Sequence, residues 1–276
     1  MFDKKLALVL GSGGARGFCH IGVLKVLEEY NIKPDIVVGS SMGAIIGGFY
    51  CAGMPIDDMI NLANKITQAT VMDFDLMPGK KLGFVNGNRV KAIFLKYLGN
   101  VKIEDLKIKY AAVATDILAG ESVLITKGEL WKAMRASMSI PMFFKPFEYE
   151  GRLLIDGGVL YRLPIPQAYK LGADITIAVD ALGPFQKGQR PTGLIKMAEQ
   201  TFMLLDWENT KRINHLCDYL LVPDMKDKGQ LVFKQNDLAI KAGEECAREH
   251  IKEILKIIEK HNKNKKRNKN NLTINR

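Results

Sequence analysis

An apolar run, Ile36-Val37-Val38, feeds directly into Gly39-Ser40-Ser41-Met42-Gly43, and a small-residue segment, Ala44 to Gly48, follows. That order predicts a buried strand, a sharp turn and a closely packed helix. The pentapeptide fits G-x-S-x-G with Ser41 at its centre. Flanking glycines Gly39 and Gly43 leave room for a strained backbone that lifts one hydroxyl clear of a sheet. The same letters also describe a plain tight turn, since glycine and serine gather wherever a helix packs under a strand.

A second unit of the same kind precedes it. Leu6 to Leu10 reads as a strand buried on both faces. It runs into Gly11-Ser12-Gly13-Gly14-Ala15-Arg16-Gly17, and Phe18 to Tyr30 reads as a helix with Ile21, Leu24 and Leu27 on one face. A right-handed crossover makes the two strands parallel, with both turns at the carboxyl edge of the sheet. Further along, helices are predicted over 57–70, 89–98, 129–137, 164–171, 194–215 and 239–260. Strands are predicted over 110–115, 122–125, 174–179 and 219–222, and 147–149 pairs with 152–155 as a hairpin across Glu150-Gly151. Residues 71–88 suit either a mobile loop beside a site or an irregular packed connection. The Met/aromatic stripe of 194–215 reads as core or as a surface facing an acyl chain.

Composition narrows the class. With 276 residues, 47% hydrophobic and 25% charged, the chain is long enough to bury one α/β core. We expect a single domain over 1–262, with 181–215 a candidate lid. The first apolar run is too short for a signal peptide, and none reaches the ~18 apolar residues of a spanning helix. The expectation is a cytoplasmic protein, with peripheral membrane contact at most. Cys19, Cys51, Cys217 and Cys246 form no C-x-x-C pair, which predicts free thiols and no zinc site. The formal charge of +10 suggests nucleic acid, but Lys263, Lys265, Lys266, Arg267, Lys269 and Arg276 supply six of it, leaving +4 for residues 1–262. No nucleic-acid partner is therefore expected. The tail, 263–276, is expected to be disordered, offering weak attraction to anionic lipid of ~1 kcal/mol per basic residue. Nothing in the chain specifies an oligomeric state.

Three stretches bear on chemistry. Read as a dinucleotide loop, Gly11–Gly17 matches poorly: Arg16 stands where a third glycine belongs, and the acid ~20 residues on would be Asp35, before the second strand. No G-K-[ST] follows, so a Walker loop is excluded. Read as an oxyanion loop, Gly13 and Gly14 offer two backbone N–H donors at a helix start, with the Met42 N–H beside them. Arg16 then either braces the loop or holds a substrate phosphate. A serine nucleophile needs a base. His20, His215, His250 and His261 all lie in helical or tail settings, so a Ser–His–Asp triad is disfavoured. Asp156-Gly157-Gly158 ends a predicted strand instead, and a carboxylate there accepting the Ser41 proton would make a Ser–Asp dyad.

In these blocks the chain resembles the patatin-like phospholipases, particularly the compact bacterial esterases of the neuropathy-target-esterase type. The resemblance rests on Gly11–Gly17, Gly39–Gly43, Arg135-Ala136-Ser137-Met138-Ser139-Ile140-Pro141, Asp156-Gly157-Gly158, and the strand-and-turn 114–121, within residues 5–180. It implies a three-layer α/β/α fold with a mostly parallel central sheet, Ser41 as nucleophile, Asp156 as base, and calcium-independent hydrolysis of phospholipid, lysophospholipid or related acyl esters without a cofactor. The loop departs from many relatives in carrying Ser12 before its paired glycines. A non-catalytic or nucleotide-binding α/β protein, associated with a membrane or a protein partner, stands as the alternative.

Overall fold

The computed structural model describes residues 5–71, 73, 83–186, 190–226, 229 and 232–274. Two continuous apolar runs make the centre of the sheet, β1 (Leu6–Leu10) and β2 (Ile36–Ser40), both buried along their whole length. A 3₁₀ turn over Gly14–Phe18 and α1 (Cys19–Glu29) connect them, and α2 (Met42–Cys51) leaves β2 through the serine turn. The helix expected to reach residue 70 stops earlier: α3 (Ile56–Lys65) ends where Ile66 turns extended, and a short α4 (Gln68–Val71) follows. The β-branched Ile66 and Thr67 at that break disfavour continued helix.

β3 (Gly83–Val85) lies inside the segment read as a loop, and α5 (Asn88–Leu98) follows it. The rest of 74–82 lies outside the described residues. β4 (Lys109–Asp116), β5 (Glu121–Ile125) and α6 (Leu130–Ser137) fall where expected. β6 (Met142–Phe144), unforeseen, pairs in parallel with β3 as a separate two-stranded sheet. β7 (Phe147–Tyr149) and β8 (Arg152–Asp156) form the hairpin, then come α7 (Gly158–Tyr161), α8 (Ile165–Lys170) and β9 (Ile175–Val179). The chain closes with α9 (Leu194–Lys211), β10 (Tyr219–Leu221) and α10 (Asn236–Ile274). Of the tail expected to be disordered, residues 263–274 thus continue the last helix. No Gly or Pro after Gly243 stops it, and its lysines favour helix.

The main sheet has the order β10-β9-β1-β2-β4-β8-β7, with β5 also on β4; β10, β9, β1, β2 and β4 are mutually parallel. Alternate residues of β1, β2 and β4 feed two cores on opposite faces. Leu8, Val37 and Ala112 pack under α1, α2, α6 and α10, while Val9, Val38 and Val113 pack under α8. The result is the expected three-layer α/β/α arrangement. At the crossing of α1 and α10, a Cβ on Gly22 would stand 2.0 Å from Ile240 O and one on Gly243 2.0 Å from Cys19 O, so the two backbones touch.

The Met/aromatic stripe of α9 is not core. Leu194, Met197 and Phe202 through Leu205 are exposed, because the helix is held chiefly by buried Asp206 and Thr210 beneath it. None of its described residues lines the apolar cavity described below. Of the candidate lid over 181–215, residues 187–189 lie outside the described residues. Among the described residues no helix is long and apolar enough to cross a membrane.

Candidate active site

The site forms where two strands of opposite direction meet end to end. β2 pairs with Lys109 to Val113 of β4 and β8 with Ala114 to Asp116, while β5 pairs with Ala112 to Asp116. Since β5 overlaps both registers, β2 and β8 must share the opposite edge of β4. β2 therefore runs up to Ser40 opposite Val113, and β8 runs down to Asp156 opposite Ala114. The residue after Ser40 and the last residue of β8 are thereby brought face to face.

Ser41 sits at φ 55°, ψ −122°, a conformation an L-residue adopts only under constraint. Gly43 is what lets the turn close, for a Cβ there would stand 2.1 Å from Leu10 O. From this turn Ser41 Oγ donates to Asp156 Oδ2 at 2.6 Å, and the other carboxylate oxygen accepts the Gly158 N–H at 2.7 Å. Gly157 lies against β4 itself, where a Cβ would come within 2.1 Å of Val113 O. Burial raises the Asp156 pKa to about 7, with Asp206 pushing the same way. The hydrogen bonds from Ser41 and Gly158 pull it down in part.

A clamp holds both sides of this junction. Ser137 Oγ accepts the Ser41 N–H at 2.9 Å and donates to Val113 O at 2.6 Å. The carbonyls of Ser139 and Ser137 accept the N–H groups of Asp156 (2.9 Å) and Gly157 (3.3 Å). Arg135, buried, secures the end of α6. It donates to Ser139 Oγ (2.6 Å), Asn86 O (3.0 Å) and Lys145 O (3.1 Å), and burial lowers its pKa to about 10. The sequence marked Arg135–Pro141 as a block without a task; its task is this clamp.

The glycine loop lies alongside. Gly11 N–H donates to Val179 O (3.0 Å) and Ser12 N–H to Arg162 O (2.9 Å), and Ser12 Oγ bonds Ser40 Oγ at 3.1 Å. Ala15 is buried within the 3₁₀ turn, and Gly17 packs on Met42. Among the described residues, the amides of Gly13, Gly14 and Met42 donate to no protein acceptor. Arg16 donates to Leu182 O at 3.3 Å, and burial lowers its pKa. His20 lies buried under the loop with Nε2 at 2.8 Å from Gly11 O, so that nitrogen carries the proton. Burial pulls its pKa down to about 4, keeping it neutral and far from any role as base. Asp35, the acid a dinucleotide site would need, accepts the Leu6 N–H at 2.8 Å at the amino end of β1, a five-residue strand or ~16 Å from the glycine loop.

One group escaped the sequence reading altogether. Buried Arg162, six residues past Asp156, donates to Asp180 (2.7 Å), Asp206 (3.0 Å) and Gly183 O (3.1 Å), and Trp207 stacks 5.5 Å from its guanidinium. It ties the end of β9 and the body of α9 to the carbonyl that holds Ser12. Asp206 is raised to about 6 by burial, against the pull of Arg162. An arginine in Leu160-Tyr161-Arg162-Leu163-Pro164 gives no hint of partners 18 and 44 residues away.

Ser41 lines a cavity of about 950 Å³, part of it open to solvent, that is also walled by residues of α2, α3 and α5. Apart from Gly14 and Ser41, every described residue lining it carries an apolar side chain. The site thus sets a strained, carboxylate-bonded serine in the wall of an apolar slot.

Residues 8–169 match the family described as patatin-like phospholipase. Over 181 residues the chain is 42% identical to an uncharacterized NTE family protein of Mycobacterium tuberculosis, an overlap covering 66% of this chain and 50% of that one. It is 34% identical over 180 residues to lysophospholipase nte1 of Emericella nidulans, covering 64% of this chain and 12% of the other. The chain therefore spans about half the length of the first relative and about an eighth of the second. Among solved structures, VipD from Legionella pneumophila superposes with TM-score 0.57 at 13% identity, over 95% of this chain and 67% of VipD. The type III effector ExoU gives 0.50 at 13% identity, over 94% and 53%. These two likenesses concern the fold.

Proposed function

The chain belongs to the patatin-like phospholipase family, and from that premise we propose that it is a serine acyl-ester hydrolase working through a Ser41–Asp156 dyad. One observation carries the reading: Ser41 Oγ donates to Asp156 Oδ2 at 2.6 Å, and Ser41 lines a slot with apolar walls. Ser41 Oγ attacks the ester carbonyl as Asp156 takes its proton. The amides of Gly13, Gly14 and Met42 hold the oxyanion, each such donor being worth ~3 kcal/mol to the transition state. Asp156 returns the proton to the departing alcohol, leaving Ser41 acylated. It then takes a proton from water, whose oxygen attacks the acyl carbon. Ser41 recovers its proton, and a carboxylic acid is released.

The apolar slot favours a fatty-acyl ester, and the lysophospholipases among the relatives favour a phospholipid or lysophospholipid. No step draws on a metal, so the reaction is proposed to be independent of calcium. We take residues 1–262 as one hydrolase domain, acting in the cytoplasm with peripheral contact to lipid surfaces. The test is turnover of a short-chain aryl ester by wild type, Ser41→Ala and Asp156→Asn, with fluorophosphonate labelling. Near-wild-type turnover in either variant, or labelling at another residue, would overturn the dyad.

A further inference from the structure

Beyond Ser41 the slot follows α2, whose Met42, Ile45, Ile46 and Phe49 recur at i, i+3, i+4 and i+7 and so share one face. The ten residues of α2 rise ~15 Å, the reach of roughly a dozen extended methylene carbons. Past the far end of this helix a second, more polar groove opens on the surface, bounded by Asp58, Asn61, Lys65 and Tyr97. Met54 and Leu62 line both the slot and the groove. Two half-buried apolar side chains therefore partition the inner space from the outer one.

Resting on the reading of Ser41 as acyl acceptor, we propose that the slot takes a single unbranched fatty-acyl chain. Its carbonyl lies at Ser41 and its methyl end against Met54 and Leu62. Among the described residues Ser41 alone brings a polar side chain to the slot walls, and against the rest a chain lying there loses only water. Each methylene added short of the partition enters apolar surroundings and gains about fourfold in affinity. A carbon beyond it must displace Met54 or Leu62, or emerge among Asp58, Asn61 and Lys65. These two side chains are thus the length stop, and shortening either lets the slot run on into the groove.

The experiment compares wild type with Met54→Ala, Leu62→Ala and Met54→Phe, each checked for a cooperative thermal transition. One arm measures kcat/KM for p-nitrophenyl esters from four to eighteen carbons. The other places the same changes on Ser41→Ala protein and measures displacement of a fluorescent fatty acid by saturated fatty acids of graded length. The displacement arm decides, because it needs no turnover. Either alanine is expected to move the longest well-bound chain up by about two to four carbons, the room that a deleted Met or Leu side chain opens. Met54→Phe is expected to move it down. The same limiting length in wild type and every folded variant overturns the proposal. A moving limit in a wild-type protein that cleaves no ester would refute the hydrolase reading and keep the length stop.

Discussion

Ser40 and Asp156 end two strands that abut on one edge of β4, opposite the consecutive residues Val113 and Ala114. Neither strand needs to bend for Ser41 and Asp156 to meet. β2 arrives parallel to β4, β8 arrives antiparallel, and each delivers its last residue to the same gap. The sheet topology itself sets the geometry of the candidate site.

Activity should follow the ionisation of Asp156. The carboxyl must be charged to take the Ser41 proton, and burial lifts its pKa to about 7. kcat/KM for a soluble ester is therefore expected to be low at pH 5, to rise through a midpoint near 7 and to level off above it. His20, drawn down to about 4, contributes nothing over that range. A profile flat from pH 5 to 9 would contradict a carboxylate base at this site.

The same shift makes Asp156→Asn a stabilising change above neutrality. The folded pKa lies above the unfolded one, so between about pH 4 and 7 the native state binds more protons than the unfolded state, and stability falls as pH rises. The amide removes this buried charge. Thermal melts at pH 8 are expected to place Asp156→Asn above wild type, and melts at pH 4.5 to bring the two together. An inactive variant that melts lower at both values would mean that the carboxylate is structural.

Ser137→Ala should separate catalysis from binding. The alanine leaves the Ser41 N–H and Val113 O, both buried, without the hydroxyl that satisfies them, at a cost of ~1–3 kcal/mol. The strained φ of Ser41 then loses one of its restraints. We expect kcat to fall by at least tenfold with little change in KM, together with a lower melting temperature. A larger effect on KM than on kcat would place Ser137 in substrate binding instead.

How much of this could be read beforehand follows from the range of the forces involved. Apolar runs and turn residues are local, so β1, β2, α1, the serine turn and the β7–β8 hairpin were legible from neighbours in the chain. Ser41, Asp156 and the glycine loop were legible because each carries a short motif at a strand end. The partners of Arg162 were not, since a buried ion pair leaves no periodicity. The β3–β6 pairing, three residues a side, is too short to stand out from a loop. The Met and aromatic content of α9 left core and acyl-facing surface both open, for only contacts decide which side of a helix is covered, and here Asp206 and Thr210 face inward.

Gly157→Ala tests the abutting strands without touching a reacting atom. Gly157 has φ −63° and ψ −27°, which alanine adopts freely, so backbone preference predicts no penalty. Its Cβ, however, would stand 2.1 Å from Val113 O and 2.8 Å from Ser40 Oγ. The turn must lift away from β4 and carry Asp156 with it, at an overpacking cost of ~1–3 kcal/mol. Turnover and fluorophosphonate labelling are both expected to drop by at least tenfold in protein that still folds. If Gly157→Ala labels as fast as wild type, the register of β8 on β4 cannot be what brings Asp156 to Ser41.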